Sequence, residues 1–289
     1  MKLVFTLTAG RTGTFFLAKL LARNFPRAEV HHERLGFEAF GVDTPDVSDL
    51  MLFNSRGNVQ KVRRFWDSKF SRILGSEAGM YVETSHVLMK AGLVENAVRL
   101  CRGHELHLIR LRRSLIPTLL SYERRGDFVN KGSQWLWYLD ETYPRTFISS
   151  DRFSAFGLHG LRLWYLMEIE YRAAYYRERY QGSPGVHFHQ ADIEQLNDPV
   201  QARALLMGID RGQTPGELII PDPVNVSNHG QQPDLQTIQT LERLVAGTRN
   251  MDPAATARDY VRGRIDPFAP EELRSEPGLN HSGPVPGRQ

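Results

Sequence analysis

At 289 residues the chain is long enough for one large α/β domain with a substantial core and short for two full domains. Its 41% hydrophobic and 24% charged residues are ordinary for a globular protein in water, and a formal net charge of +3 does not supply the concentrated basic face that nucleic acid selects. A single cysteine, Cys101, excludes an intrachain disulfide and a cysteine-built metal cluster, and no run approaches the ~20 apolar residues of a membrane span.

The first predicted element is a strand over Leu3–Leu7. Arg11 and Lys19 interrupt the apolar character that follows before it reaches the length of a secretory h-region, so a cytoplasmic location is expected. Thr6 to Phe15 reads T-L-T-A-G-R-T-G-T-F. A strand ends, a glycine-bearing turn follows, and a helix begins at about Thr14, with its apolar pattern over Phe15–Asn24. Such a turn directs backbone N–H groups and the positive end of a helix dipole at one spot, which suits a phosphate-like anion. The nucleotide-hydrolase form of this turn is G-x-x-x-x-G-K-[ST]. Here no Gly-Lys-Ser/Thr follows, and Arg11 sits inside the turn instead.

Further strands are predicted at Glu29–His31, Met80–Glu83, Glu105–Leu111 and Gly185–His189. Helical patterns fall between them at about Val59–Leu74, Val87–Leu100, Ile116–Arg125 and Leu161–Tyr180. This alternation predicts an α/β fold of three layers, a central parallel β-sheet flanked by α-helices. Ligands of such sheets bind at the carboxyl ends of the strands. The opening turn, the residues after Glu29–His31 and Met80–Glu83, and Arg113 would gather there. Ser114 is the predicted N-cap of the helix after the fourth strand, with Pro117 in its first turn. Leu161–Tyr180 reads as a long packing helix in which Glu168 and Arg172 form an i,i+4 pair. Residues 212–234 are dense in Gly, Pro, Asn and Asp and read as a long loop. Gln236–Gly247 reads as one more helix. A single domain over residues 1–265 and a flexible tail over 266–289 are expected.

Arg113 leaves the fourth strand, and Ser121 follows eight residues later on the next helix. A guanidinium at a strand end and a hydroxyl one or two turns into the following helix can converge on one phosphate. The alternative for this pair is a surface ion pair beside a capped helix.

With both pieces in place, residues 1–125 resemble, in motif order and spacing, the sulfotransferases that use 3′-phosphoadenosine 5′-phosphosulfate (PAPS). The family's first motif, (K/R)-(S/T/A)-G-T, holds the 5′-phosphosulfate, and Arg11-Thr12-Gly13-Thr14 is similar to it. The second, commonly R-D-P-x-x-x-x-x-S, holds the 3′-phosphate. Arg113 to Ser121 has the same spacing but lacks Asp-Pro after the arginine. Residues 185–196 are a fainter echo of the family's late strand. The resemblance implies a P-loop-type fold and PAPS as sulfuryl donor, with 3′,5′-adenosine bisphosphate (PAP) as product. It implies cofactor contacts from Arg11, Thr12, Gly13, Thr14, Phe15, Arg113 and Ser121, and no metal. The implied reaction is in-line displacement onto a hydroxyl of a small-molecule, carbohydrate or lipid-like acceptor. Sulfuryl transfer, like phosphoryl transfer, asks the protein for positioning and charge neutralisation. Arg11 and the N–H groups of residues 12–15 would supply the neutralisation.

A hydroxyl acceptor also needs a general base. By the same resemblance Glu33 is the first candidate and His32 the second, in the run His31-His32-Glu33. His86, at the end of Glu83-Thr84-Ser85-His86, is a third. The structural alternatives are a buried strand histidine, a carboxylate in a local ion pair, and a strand-to-helix turn capped by Thr84 or Ser85. Trp135, Trp137, Tyr138 and Tyr143 form either a packing cluster, the favoured reading, or an aromatic wall for the acceptor. Asn225, Ser227, Asn228 and Gly230 mark the long loop as a candidate cover for the nucleotide. Two other functions are consistent with a phosphate-binding turn. A P-loop small-molecule kinase would use ATP and Mg²⁺, but it wants Lys-Ser/Thr where Thr14-Phe15 stand. A non-catalytic nucleotide-binding protein would keep its function in Arg11→Ala and Glu33→Ala variants.

Overall fold

Strand β1 (Lys2–Leu7) occupies the middle of the sheet in the computed structural model, which describes residues 1–129, 137–210, 212, 216–222 and 233–271. It pairs in parallel with β3 (Met80–Thr84) on one side and β4 (Glu105–Arg112) on the other. β2 (Ala28–His32) and β5 (Val186–Asp192) complete a five-stranded sheet in the order β2-β3-β1-β4-β5, every pairing parallel. The α/β architecture expected from the alternation is present, and each predicted strand lies within two or three residues of its expected bounds.

The period-2 alternation of β1 explains how both faces are covered. Leu3, Phe5 and Leu7 point into the larger core, with Leu106, Leu108 and Tyr81. That face is covered by α3 (Gln60–Leu74), α4 (Leu93–Leu100) and α7 (Gly157–Tyr180), with α5 (Leu115–Arg125) beside them. Val4, Val82, Ile109 and Leu111 point the other way, against α1 (Thr14–Asn24) and α8 (Pro199–Ile209). The remaining helices are α2 (Val47–Arg56), α6 (Asp151–Ser154), α9 (Leu235–Ala246) and α10 (Pro253–Arg262). Among the described residues, no helix is long and apolar enough to cross a membrane.

Three expectations are corrected. The helix expected over Val87–Leu100 is two pieces, a 3₁₀ turn at Leu88–Ala91 and then α4, because Gly92 between them takes φ 88° and breaks the right-handed run. Ser114 stands at the N-cap of α5, but its side chain makes no cap bond; its N–H donates to Glu194 Oε1 at 3.0 Å. The segment from 266, expected to start a flexible tail, is docked as far as residue 270. Phe268 is 1% exposed and stacks on Phe53 at 4.7 Å, and Asn58 N–H donates to its carbonyl. Aromatic burial of this size outweighs the Pro-rich local composition. Residues 272–289 lie outside the described residues. The expected Glu168–Arg172 pair is formed at 2.8 Å with both side chains fully buried, and Arg172 also donates to Asn54 Oδ1 and to the Arg145 carbonyl.

Candidate functional site

The carboxyl end of β1 is tied to its neighbours by threonine hydroxyls. Thr6 Oγ1 donates to the Ser85 carbonyl and accepts from the Ser85 N–H, both at 2.9 Å, which pins the exit of β3. Thr8 Oγ1 donates to the Leu111 carbonyl at 2.7 Å, which pins the exit of β4. The turn that follows is then held by its carbonyls. Thr12 Oγ1 donates to Ala9 O at 2.9 Å, Tyr122 OH to Gly10 O at 2.7 Å, and Arg113 Nη1 to Arg11 O at 3.2 Å. In a planar trans peptide the N–H of the next residue points opposite to the carbonyl. Fixing these three carbonyls therefore turns the N–H groups of Gly10, Arg11 and Thr12 away from their anchors, as an anion nest requires.

Two left-handed residues shape the turn: Arg11 at φ 68° and Gly13 at φ 89°. At Gly13 a Cβ would lie 2.5 Å from Ile193 Cγ1, so the position has no room for a side chain. Gly13 is also the N-cap of α1, which begins without a side-chain cap bond. The helix N-terminus thus adds its dipole to the nest.

The arginines meet here. Arg11 Nε donates to Ser121 Oγ at 3.0 Å, while Arg113 reaches the Arg11 carbonyl and lies 3.9 Å from Glu194. The structure thus brings Arg113 and Ser121 together through Arg11, rather than in direct contact. Arg125, from the last turn of α5, lines the same cavity. Its Nε lies 3.5 Å from Asp127, whose side chain is fully buried. Burial, and next the charge of Arg125, lower the Arg11 guanidinium from its usual value, while Asp127 acts the other way. Burial in turn pushes the Asp127 carboxyl up to about 6 against the pull of Arg125, Arg11 and Arg162.

Across the cavity stand the proton-handling groups. Glu33, at φ 36° just past β2, places Oε1 at 2.7 Å from His86 Nδ1 and 3.5 Å from Thr14 Oγ1. Burial alone would raise the Glu33 carboxyl. The charge and hydrogen bond of His86, with His32 behind them, outweigh it and hold Glu33 at about 2. Glu33 is therefore an ionised carboxylate with no proton to give, so His86 Nδ1 is the donor. The ring nitrogen left outside that bond is Nε2. A carboxylate held this low is a poor base by itself; its hydrogen bond orients the His86 ring instead. His32 stands further back. Its Nδ1 lies 3.1 Å from Thr84 Oγ1, its Nε2 is 3.8 Å from Glu33 Oε2, and burial lowers its basicity.

These groups line one cavity of about 690 Å³. Arg11, Gly13, Thr14, Phe15, Arg113, Glu33, His32 and His86 all reach its wall, as do Leu35, Arg125, Trp137 and Tyr138. Thr12 and Ser121, both proposed from sequence as ligand contacts, stand behind the wall and hold it in place through Ala9 and Arg11. Trp137 and Tyr138 differ from a plain packing cluster in their exposure to the cavity. They line the cavity, and Tyr138 also packs against Phe128 and Tyr165 at 4.5 and 4.9 Å. Tyr143 packs against the larger core instead. Trp135, Asn225, Ser227, Asn228 and Gly230 lie outside the described residues.

Sequence reasoning gave no role to Tyr122 or Lys90. Tyr122 follows Ser121 directly and could have been read as its partner in fixing the turn. Lys90 gives no sequence signal. It is fully buried behind the aromatic wall, donates to the Trp137 carbonyl and to Tyr165 OH, and is lowered well below its usual value by burial.

No family model matches the chain, and no curated protein matches it. Among solved structures, the chain is similar to a sulfotransferase from Alicyclobacillus acidocaldarius, with 16% identity and a TM-score of 0.43 over 91% of this chain and 96% of that one.

Proposed function

We propose that the protein is a PAPS-dependent sulfotransferase that moves a sulfuryl group to the hydroxyl of a small-molecule acceptor. One observation carries the reading: an anion nest containing Arg11 faces a His86–Glu33 dyad across a single cavity, with Arg113 flanking the nest on the opposite side. The residues fit the donor. The nest and the α1 N-terminus suit the 5′-phosphosulfate, and Gly13 permits the left-handed turn that aims them. Arg113, which lines the cavity beyond the nest, suits the 3′-phosphate.

PAPS supplies the sulfuryl group, and its phosphate oxygen keeps the electron pair of the broken S–O bond. The chain's own residues do the rest. Arg11 and the turn N–H groups neutralise the charge that builds on that oxygen. Glu33 fixes the ring of His86 and its tautomer. His86 Nε2 takes the acceptor proton as the acceptor oxygen bonds to sulfur. In this reading Glu33, the first candidate from sequence, positions the base rather than serving as it.

Calorimetry tests the reading. Bisphosphate PAP is expected to bind without divalent metal, and Arg113→Ala and Arg11→Ala are each expected to weaken it by tenfold or more, on the order of a charge-assisted bond or two. Tight binding of ATP with Mg²⁺ and none of PAP would overturn it in favour of a kinase.

A further inference from the structure

The cavity has an apolar side that the donor does not use. Leu35, just past β2, lines it and is 43% exposed. Phe37 is 98% exposed, an unusual state for a phenylalanine. Its ring lies 6.5 Å from that of Phe40, which in turn lies 4.7 Å from Trp137 on the cavity wall. The three rings make a continuous apolar track from the outer surface into the cavity. The track is built to hold its shape. Trp137 Nε1 donates to the Pro45 carbonyl at 3.3 Å, and buried Lys90 donates to the Trp137 carbonyl. The loop carrying Phe37 is closed by Thr44 Oγ1 on Arg34 O at 2.8 Å and by Arg34 on Asp43 at 3.0 Å.

The sheet order says which substrate this track serves. Arg113 follows β4, on one side of β1, while Glu33 and His86 follow β2 and β3, on the other. In-line transfer puts the incoming hydroxyl and the leaving phosphate on opposite sides of the sulfur. The nucleotide then extends over the β4 side. The acceptor enters from the β2 side, where Leu35, Phe37, Phe40 and Trp137 stand.

We infer, building on the sulfotransferase reading, that the acceptor is a hydroxylated amphiphile: its hydroxyl sits at His86, and its apolar chain lies along Leu35, Trp137, Phe40 and Phe37. Covering that track with hydrocarbon removes apolar surface from water on both partners.

A series of primary alcohols from butan-1-ol to octan-1-ol, titrated calorimetrically into the full chain with and without PAP, tests this. Affinity is expected to rise roughly threefold to fourfold per added methylene. The slope is expected to flatten in the double variant Leu35→Ser/Phe37→Ser, whose two sites are solvent-exposed, and in Trp137→Ala. PAP affinity is expected to stay at the wild-type value in the double variant. Affinity independent of chain length, or a slope that survives the double variant, overturns the inference. So does a loss of PAP affinity in the double variant, which would give the track to the nucleotide. Failure of the sulfotransferase reading looks different: no PAP binding in the wild-type protein, whatever the alcohols do.

Discussion

His86 Nδ1 lies 2.7 Å from Glu33 Oε1, although the two residues come from loops after different strands, β3 and β2. Parallel pairing of His32 with Thr84 is what brings those loops side by side. The pair acts as a unit, so the effects of removing its members should not add. Glu33→Gln keeps the shape but loses the charge that fixes the ring, and His86→Ala removes the proposed base. Each is expected to lower turnover about 10²- to 10⁴-fold, and the double variant little further. PAP affinity, measured by calorimetry, is expected to be unchanged in all three.

Gly13→Ala tests the turn itself. The substitution puts a Cβ into a left-handed residue and against Ile193. A loss of about 2 kcal/mol or more of stability is expected, with a parallel loss of PAP affinity. Adding Ile193→Ala relieves the clash but not the backbone strain, so chemical denaturation should show partial recovery only.

Asp127 sets the charge balance under the arginines. Its carboxyl, held up at about 6 by burial, is ionised at pH 7.5 and sets a negative charge beside Arg11 and Arg125, against the proposed anion. Asp127→Asn is expected to bind PAP several-fold tighter at pH 7.5. The ratio of variant to wild-type affinity should return toward one as pH falls below about 6, where the wild-type carboxyl is protonated as well. Taking the ratio cancels titration of the ligand's own phosphates.

Glu95 on α4 predicts a stability effect far from the cavity. Burial pushes its carboxyl up to about 8 from an ordinary 4.5. Tyr176 OH donates to Oε1 at 2.8 Å, and Oε2 has no hydrogen-bond partner among the described residues. The native state therefore holds a proton that the unfolded chain releases between about 4.5 and 8. The unfolded chain binds fewer protons across that window, so stability is full below it and falls as pH rises through it. The loss is on the order of a few kcal/mol. Glu95→Gln, which cannot ionise, is expected to flatten this slope in thermal melts between pH 5 and 9.

Much of this was legible before any coordinates. The strands announced themselves through apolar runs between amphipathic helices, and the Thr6–Phe15 turn through its glycines and its place after a strand. Pairs that rely on local sequence, such as Glu168 with Arg172, were readable from i,i+4 spacing. The helices α2, α8 and α10 were not read, although Asp46, Asp198 and Asp252 each cap one and Pro199 and Pro253 open two of them. Their caps were stronger signals than their apolar patterns. What sequence could not supply was contact between distant loops. Nothing in His86 or Glu33 alone foretells a 2.7 Å hydrogen bond, nor that the charge and hydrogen bond of His86 hold the carboxylate low. The docking of Phe268 was hidden for the same reason. Its partners Phe53 and Tyr176 are remote in the chain, and the Pro-rich segment around it reads locally as tail.

The central place of β1 bears on how the chain is made. During synthesis the first strand leaves the ribosome with no neighbour, since both of its partners, residues 80–84 and 105–112, come much later. Its apolar residues must wait through about a hundred residues of elongation, several seconds at typical rates of ~5–20 residues per second. The turn at Gly10–Thr14 cannot be locked until Tyr122 arrives to hold Gly10. A nascent chain from which residue 105 has not yet emerged is expected to lack the ordered Gly10–Thr14 turn, whereas one from which residue 192 has emerged has every strand of the sheet available.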